Sequence, residues 1–185
     1  QAVVSVSEFS QSTLDRLVER AVAMAGLAPD DAYAGLADPA LLYEGKPVDL
    51  QLFDDTHLSA ESLQQRALDI EAAGLSLGSD ALQSDAASTG YVQNQWSMLT
   101  SDGFRGHHQT SLFFQSGRYI ATDPDGNMER DGEGRSVRFA SDLPDVTETG
   151  RIAAERALAA LGARKIETQK ATVIFDKRIA KSLIS

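Results

Sequence analysis

The sequence contains no cysteine. This absence excludes a disulfide framework, a thiolate metal site and a cysteine nucleophile, and it is more typical of a reducing compartment. No stretch reaches the apolar length of a membrane span, and the chain does not open with a charged and then hydrophobic signal segment. We therefore expect a soluble, cytoplasmic protein with no membrane partner.

Basic residues are scarce, with 17 Lys and Arg against 27 Asp and Glu, for a net charge of −10. Such a balance disfavours direct binding to a nucleic-acid backbone. The charge is uneven, because residues 164–185 carry a local excess of +4 and residues 1–163 carry −14. The basic segment leaves two alternatives, a nucleic-acid arm or a strand and helix with solvated lysines, and its pattern favours the second.

Nothing at either end of the sequence looks like a natural boundary. The chain begins with Gln1 and leads directly into Ala2–Val6, an apolar, β-branched run that resembles a strand. It ends in the amphipathic run 178–185, which lacks a helix stop signal. We expect a fragment of a larger protein, although 185 residues with 42% hydrophobic content can bury a core.

Helical periodicity predicts three helices, over Leu14–Ala25, Leu63–Ala73 and Ile152–Leu161. The residues that flank these runs are good caps, since serine satisfies the free N–H groups at a helix start and glycine adopts the left-handed conformation at a helix end. The predicted caps are Ser10 or Ser12 with Gly26, Ser59 with Gly74, and the polar stretch 147–149 with Gly162.

The middle of the chain, residues 80–140, has no helical period and alternates in short segments separated by turn residues. Asp125-Gly126 is a strong hairpin signal, and 136–139 is the expected returning strand. Residues 27–42, with two prolines and a glycine, read as a surface loop. The predicted fold is therefore α+β, an antiparallel β-meander flanked by helices.

The three histidines, His57, His107 and His108, are the first candidates for a metal site, with Asp102 and Asp123 nearby in sequence. Adjacent residues of a strand point to opposite faces, so His107 and His108 cannot easily share one ion. Metal-binding histidines on a helix need a spacing of four, which is absent here. We predict no metal site within this chain.

Asp123-Pro124-Asp125-Gly126-Asn127 has the acidic character of a calcium loop. A calcium-binding loop of the EF-hand type requires glycine at its sixth position and glutamate at its twelfth, where this chain has Met128 and Gly134. A hairpin turn is the better interpretation.

Two further clusters resemble sites of catalysis or phosphate binding. Ser101, Asp102 and His107 are the residue types of a hydrolase triad, but they lie in one short loop without a nucleophile elbow. Gly103-Phe104-Arg105-Gly106 lacks the Lys-Ser/Thr and the helix that a phosphate-binding loop requires. We predict no catalytic, cofactor-binding or metal-binding residue in this chain.

Four stretches, taken in order and with their spacing, resemble the TldD/PmbA family. The first resembles the PmbA branch, also called TldE, and the resemblance covers nearly the whole chain, from Gln1 to Ser185. The four stretches are LAPDDAYAGLADP at 27–39, SDGFRG at 101–106, MERD at 128–131, and GRIAAERA at 150–157 leading into LGARKIET at 161–168. One departure is the Gly132-Glu133-Gly134 stretch, where the family usually has an aromatic pair after Asp131.

The resemblance implies a cytoplasmic protein more than twice this length, with an N-terminal α/β region and a larger β-rich region. Residues 1–170 would be the N-terminal region, incomplete at its start, and 171–185 the beginning of the missing C-terminal region. TldD-type members carry a helical HExxxH zinc motif, in which two histidines bind the ion and the glutamate activates its water. Paired with a PmbA-type subunit, they cleave unfolded or leader-bearing peptides.

No HExxxH motif is present in this chain. In TldD-type chains it follows a short strand like Thr172–Phe175, so both truncation and membership of the PmbA branch explain its absence. The resemblance thus implies a non-catalytic subunit that pairs with a TldD-type subunit in a heteromer or with a second copy in a homodimer. Zinc is expected only on a TldD-type partner. The alternative is a regulatory binding protein without a peptidase role, acting on DNA gyrase through protein contact.

An exposed edge of the predicted meander, residues 80–140, could pair with another extended chain through its backbone. Docking of a partner subunit and binding of a peptide substrate are both open, and docking is favoured because family members work as dimers.

Overall fold

A computed structural model describes residues 1–43, 45 and 48–183 of the chain. The chain divides into two compact units, Gln1–Val48 and Asp49–Ser185. The first unit contains helix α1 (Gln11–Leu27) and a 3-10 turn at Pro39–Leu41. None of the helices in the described part of the chain has the length and apolar character that crossing a membrane requires.

The second unit contains a three-stranded antiparallel sheet and the remaining helices. Its elements are α2 (Ala60–Leu75), β1 (Leu82–Leu99), β2 (Arg105–Thr122), β3 (Met128–Val137), a 3-10 turn (Ala140–Asp142), α3 (Val146–Ala160), α4 (Lys177–Ala180) and a 3-10 turn (Lys181–Leu183). The strand order is β1-β2-β3, so the chain forms two consecutive hairpins. The predicted α+β fold, an antiparallel meander with flanking helices, is confirmed.

The register of the sheet divides β2 into two faces. Odd-numbered residues of β2, from Ser111 to Ala121, are buried, whereas the even-numbered residues between them are exposed or half-buried. Helices α2 and α3 cover the odd-numbered face, where a Cβ at Gly117 would meet Ile70 Cγ2 at 2.8 Å and Ala153 Cβ at 3.6 Å. The alternation follows from the pleat, which sends successive side chains to opposite sides.

Capping explains where the helices begin. The Ser59 hydroxyl accepts a hydrogen bond from the Ser62 N–H at 3.1 Å, as its position predicts. Ser10 is the residue before α1, although its side chain makes no capping bond. Helix α3 starts at Val146, earlier than predicted, because the Asp145 carboxylate accepts from the Thr147 and Glu148 N–H groups at 2.8 and 3.3 Å.

The core lies between the two helices and the odd-numbered face of the sheet. Its fully buried aromatic side chains are Phe113 and Tyr119, and α3 contributes alanines rather than large residues. Small residues allow the helices to approach closely, since a Cβ at Gly150 of α3 would lie 2.1 Å from the Ile70 carbonyl oxygen of α2. The packing of α3 against α2 therefore depends on the absence of a side chain at Gly150.

Two segments predicted to resemble strands are not strands. Neither Ala2–Val6 nor Thr172–Phe175 is part of the sheet, although both have strongly β-branched sequences. Strand formation needs a hydrogen-bonding partner as well as propensity, and the sheet of the second unit takes its three strands from Leu82–Val137. The run 178–185 is helical through Leu183, and its last two residues lie outside the described residues.

A boundary is predicted between residues 170 and 171, where the N-terminal region would end and the C-terminal region would begin. It stays a prediction.

Candidate functional site: the open face of the sheet

The structure places the histidines as structural or surface residues. His107 and His108 pair with Ser97 and Trp96 across the first hairpin, so they point to opposite faces of the strand, as predicted. His57 lies beside Tyr91, with 3.4 Å between its Nδ1 and the phenol oxygen. Across the described part of the chain, no three His, Asp or Glu side chains come together in a way that could hold a metal ion.

Ser101 and Asp102 of the triad-like cluster lie in the turn between β1 and β2, whereas His107 lies in β2. The Asp102 carboxylate accepts hydrogen bonds from the Thr100 hydroxyl and from the Phe104 N–H at 3.4 Å, and these bonds lower its pKa. Gly103 supplies the positive φ of 96° that the turn requires. Asp102 therefore stays ionised at neutral pH and stabilises a loop, and a general base would need a pKa nearer to neutral.

The acidic loop at Asp123–Asn127 is the predicted hairpin turn between β2 and β3. The Asp123 carboxylate accepts from the Asp125 N–H at 2.9 Å and from the Asn127 N–H and side-chain amide at 2.8 and 2.9 Å. These bonds, with the Asn127 side chain contributing most, lower the pKa of Asp123. The carboxylate thus stabilises the turn.

A buried polar cluster joins α2, α3 and β2. The Gln115 side chain accepts from Arg66 Nη2 at 2.5 Å and donates to the Pro144 carbonyl and the Thr149 hydroxyl, both at 2.8 Å. Sequence reasoning missed this cluster because its members lie far apart in the chain. Almost all polar atoms of this cluster form hydrogen bonds to one another or to the backbone. The cluster therefore fixes how α2 and α3 pack on β2, and it offers little for a ligand to bind.

An accessible apolar surface of the second unit lies on the other side of the sheet, which we call the open face. It consists of the even-numbered residues of β2 and the residues directly opposite them on β1 and β3. Because α2 and α3 lie on the odd-numbered side, large apolar groups on this face remain accessible. Their exposed fractions are 61% for Trp96, 61% for Met98, 45% for Val92 and 38% for Leu112.

The first hairpin extends well beyond the third strand. β3 pairs only with Phe113–Thr122, so the more distal residues of β1 and β2 pair solely with each other in the described sheet. We call this distal hairpin, residues 92–112, the arm. It carries a single acidic and a single basic residue, Asp102 and Arg105, so the entire net charge of −10 lies on the rest of the chain.

On the arm, Trp96 is held in a defined position. It lies directly opposite His108, and the two rings stack with centroids 6.5 Å apart and planes 13° apart. A stacked cross-strand pair restricts the rotamers of both rings. The only tryptophan of the chain is therefore presented on the open face as an ordered, exposed aromatic group.

A shallow cavity of about 370 Å³ lies nearer the base of the same face, and we call it the trough. Small residues of all three strands form its floor, and Arg118 borders it; the floor residues are Ala86, Ser88, Ser116, Gly132 and Gly134. A Cβ at Gly132 would lie 2.7 Å from the Gly117 carbonyl oxygen, so this position accepts no larger residue without a shift.

Beyond the trough, the base of the open face is positively charged. Arg118 and Arg130 both form ion pairs with Asp85, through the Arg118 Nε and, at 3.3 Å, the Arg130 Nε. The side chains of both arginines remain more than half exposed. One carboxylate shared by two arginines leaves a net positive charge, which would attract an acidic group.

Comparison with known proteins identifies a family and a curated protein that are similar to this chain. Residues 53–161 match the family described as PmbA/TldA metallopeptidase central domain. Metalloprotease PmbA of Escherichia coli O157:H7 is 30% identical over 97% of this chain, which spans 39% of that protein.

Solved structures share the fold. A protein of Bacteroides thetaiotaomicron described as a proposed modulator of DNA gyrase superimposes with a TM-score of 0.81 at 22% identity, over 89% of this chain and 38% of its own. TldE of Thermococcus kodakarensis gives a TM-score of 0.64 at 15% identity, over 83% of this chain and 34% of its own.

Proposed function

This chain belongs to the PmbA/TldA metallopeptidase family, as its four motifs predict, and we propose that it is part of a non-catalytic, PmbA-type subunit. In this proposal the subunit joins a TldD-type subunit that binds the catalytic zinc. Together they cleave unfolded and leader-bearing peptides. The family match over 53–161 is the observation that carries the proposal.

The branch is supported by the relatives and by the first motif. The matched curated protein, which is 30% identical over 97% of this chain, is named PmbA. The stretch at 27–39, which suggests this branch, lies before the matched residues 53–161. The chain spans 39% of the length of its PmbA relative, so catalysis by the whole protein is part of the proposal.

The described residues do not fit a catalytic zinc. Of the three histidines, His57 contacts Tyr91, and His107 and His108 face opposite sides of β2. The carboxylates of Asp102 and Asp123 are occupied by hydrogen bonds inside their own turns. A zinc peptidase site needs three converging ligands and an open position for water. The proposal therefore assigns to this chain a structural role.

Complex formation tests the proposal. The full-length gene product and a TldD-type subunit from the same organism would be purified separately, mixed, and separated by size-exclusion chromatography with light scattering. We expect a stable heteromer with equal amounts of the two chains. The proposal fails if the two proteins elute separately at micromolar concentration.

A role as a DNA gyrase modulator is the alternative from a different functional class. Its support is the description of one structural neighbour, and a likeness at 22% identity shows the fold alone. The net charge of −10 would require any such role to act through protein contact. Adding purified gyrase to the same chromatography experiment separates the two functions, since only a modulator would co-elute with gyrase.

A further inference from the structure

We propose that Asp131, Arg156 and Arg178 form a latch that closes the outer edge of β3 against the addition of another strand. Arg178 belongs to the segment that follows residue 170, so the position of that segment controls whether the edge is closed. The inference concerns the edge of the sheet and does not rest on the proposed function.

The direction of the backbone groups of β3 follows from a hydrogen bond made by β2. The Thr122 N–H donates to the carbonyl oxygen of Ala81, the residue before β1, at 2.8 Å. Even-numbered residues of β2 therefore direct their N–H and C=O groups toward β1, because these groups alternate sides along a strand. Gly132 lies opposite Arg118, an even-numbered residue of β2. The N–H and C=O groups of Gly132 consequently point away from β2, to the outer edge of the sheet.

Both outward backbone groups of Gly132 are occupied by side chains. The Gly132 N–H donates to the Asp131 carboxylate at 2.6 Å, and the Gly132 carbonyl accepts from Arg156 Nη1 at 3.2 Å. Arg156, on α3, also forms an ion pair with Glu133 of β3. A strand that adds to a sheet must bond to the outward groups of its edge. At Gly132 it would have to displace both side chains.

Arg178 holds the Asp131 carboxylate in this position. Its Nη1 and Nη2 atoms donate to the two carboxylate oxygens at 2.8 and 3.4 Å, a bidentate geometry that fixes the orientation of the group. Arg178 is itself positioned at the start of α4, where its backbone N–H donates to the Asp176 carboxylate at 2.8 Å. The turn at Asp176 thus directs Arg178 toward β3.

The latch can open without unfolding of the sheet. Residues 171–179 are exposed throughout, so burial of side chains contributes little to holding this segment against β3. The ion pair of Arg178 with Asp131 joins the two instead. A partly exposed ion pair contributes little stability, and segments with few buried contacts open at low cost in free energy. A change in the position of the segment would therefore free the edge.

Amide exchange of two glycines in the purified chain, followed by NMR, tests the latch. Gly132 and Gly134 are two residues apart, so both amides point outward, and within the described residues the Asp131 carboxylate bonds to the first. We expect the Gly132 amide to exchange at least about tenfold more slowly than the Gly134 amide, because a bonded amide exchanges through local opening. Asp131→Ala should remove this difference.

Arg178→Ala tests whether the segment after residue 170 holds the latch. It should raise the exchange rate of Gly132 by at least about threefold, since Asp131 is then free to leave its position. Arg151→Ala is the matched control, because it breaks the exposed ion pair of Arg151 with Glu155 on α3. This control should leave the exchange of Gly132 unchanged.

Strand addition is tested with the neutral synthetic peptide acetyl-Thr-Val-Ser-Val-Thr-amide, whose binding is followed through the amide chemical shift of Gly134. We expect the shift to change with peptide for Asp131→Ala and for Arg178→Ala, and to stay constant for the wild type. Circular dichroism identifies any variant that fails to fold, and Arg178→Ala, in an exposed segment, keeps the test decisive.

Three results would overturn the proposal. They are equal exchange of Gly132 and Gly134 in the wild type, an unchanged Gly132 rate in Arg178→Ala, or the same response to the peptide in the wild type and in both folded variants.

Discussion

The ring of Tyr119 fills the space that a side chain at Gly74 would need. A Cβ at position 74 would lie 2.2 Å from Tyr119 Cζ, and the phenol oxygen donates a hydrogen bond to the Ile70 carbonyl at 2.6 Å. This contact anchors the end of α2 to the middle strand of the sheet. The sequence predicts Gly74 only as the end of a helix and predicts no role for Tyr119.

Tyr119→Phe should lower the free energy of unfolding by about 1 kcal/mol at neutral pH, because one buried hydrogen bond is lost. Burial raises the pKa of Tyr119 above its ordinary value of 10.0, so the unfolded chain loses this proton at lower pH than the folded chain does. The stabilising contribution is present below pH 10 and falls as the pH rises further.

Urea unfolding of the wild type and of Tyr119→Phe at several pH values between 8 and about 11 measures this effect. We expect the wild type to lose stability more steeply than the variant at the alkaline end. Tyr33→Phe is the control, since Tyr33 is 98% exposed. Parallel curves for the wild type and Tyr119→Phe would contradict the role assigned to the phenol.

Gly150→Ala should destabilise the second unit by about 3 kcal/mol, near the upper end for overpacking, because the new Cβ would meet a backbone oxygen of α2. Gly26→Ala is a matched control in α1, where a Cβ meets nothing within 4 Å. There, alanine should stabilise the helix by about 0.5–1 kcal/mol. Thermal unfolding followed by circular dichroism compares the two, and a neutral Gly150→Ala would disprove the close helix contact.

Asp54→Asn should weaken the attachment of residues 52–56 to the 3-10 turn at Ala140–Asp142. The Asp54 carboxylate accepts from the Thr56 N–H at 2.8 Å and the Ala140 N–H at 2.7 Å, and its pKa is lowered, the Thr56 side chain contributing most. A lowered pKa in the folded state means that the stabilisation is present above pH 3.8 and is lost as the pH falls through the folded value.

The variant should therefore show a lower urea midpoint than the wild type at pH 7, and the difference should close in acid. Asp55→Asn, at the exposed neighbouring position, serves as the control. A difference that persists unchanged at the lowest pH would show that the carboxylate charge is not the cause.

Amide exchange should distinguish the arm from the rest of the first hairpin. The amides of residues 94–110 have exposed neighbours and no third strand, whereas those of Phe113–Ala121 are backed by α2 and α3. For the monomeric chain at low concentration, we expect exchange in the arm to be faster by at least about tenfold, since local opening there exposes little apolar area. Equal protection along β2 would mean that the arm is covered within the monomer.

Local patterns predicted much of this fold. The Asp125-Gly126 turn, the three principal helices and the opposed orientation of His107 and His108 follow from backbone preferences and side-chain periodicity. The start of α3 was missed because its first turn is polar and Gly150 argues against a helix. Only the close approach of α2 explains that glycine.

Long-range features were less predictable. The trough is built from serine, alanine and glycine of three strands, residues that carry no apolar signal in the sequence. The length of the distal arm was also not predicted, because the alternation over 80–140 indicates short strands and does not show that β1 and β2 extend beyond the third strand. Conversely, Ala2–Val6 has strong β propensity but is not part of the sheet. In each case the structure that a segment adopts depends on which distant segments it contacts in the fold, and a local sequence pattern does not show this.

The central claim is that this chain contributes structure, while its partner contributes the zinc. Peptide cleavage by the full-length gene product, assayed alone and with a TldD-type subunit while zinc is quantified, tests it most directly. We predict that the protein alone binds no stoichiometric zinc and does not cleave an unfolded peptide, and that cleavage appears with the partner. Stoichiometric zinc and peptide cleavage by the protein alone would contradict the account.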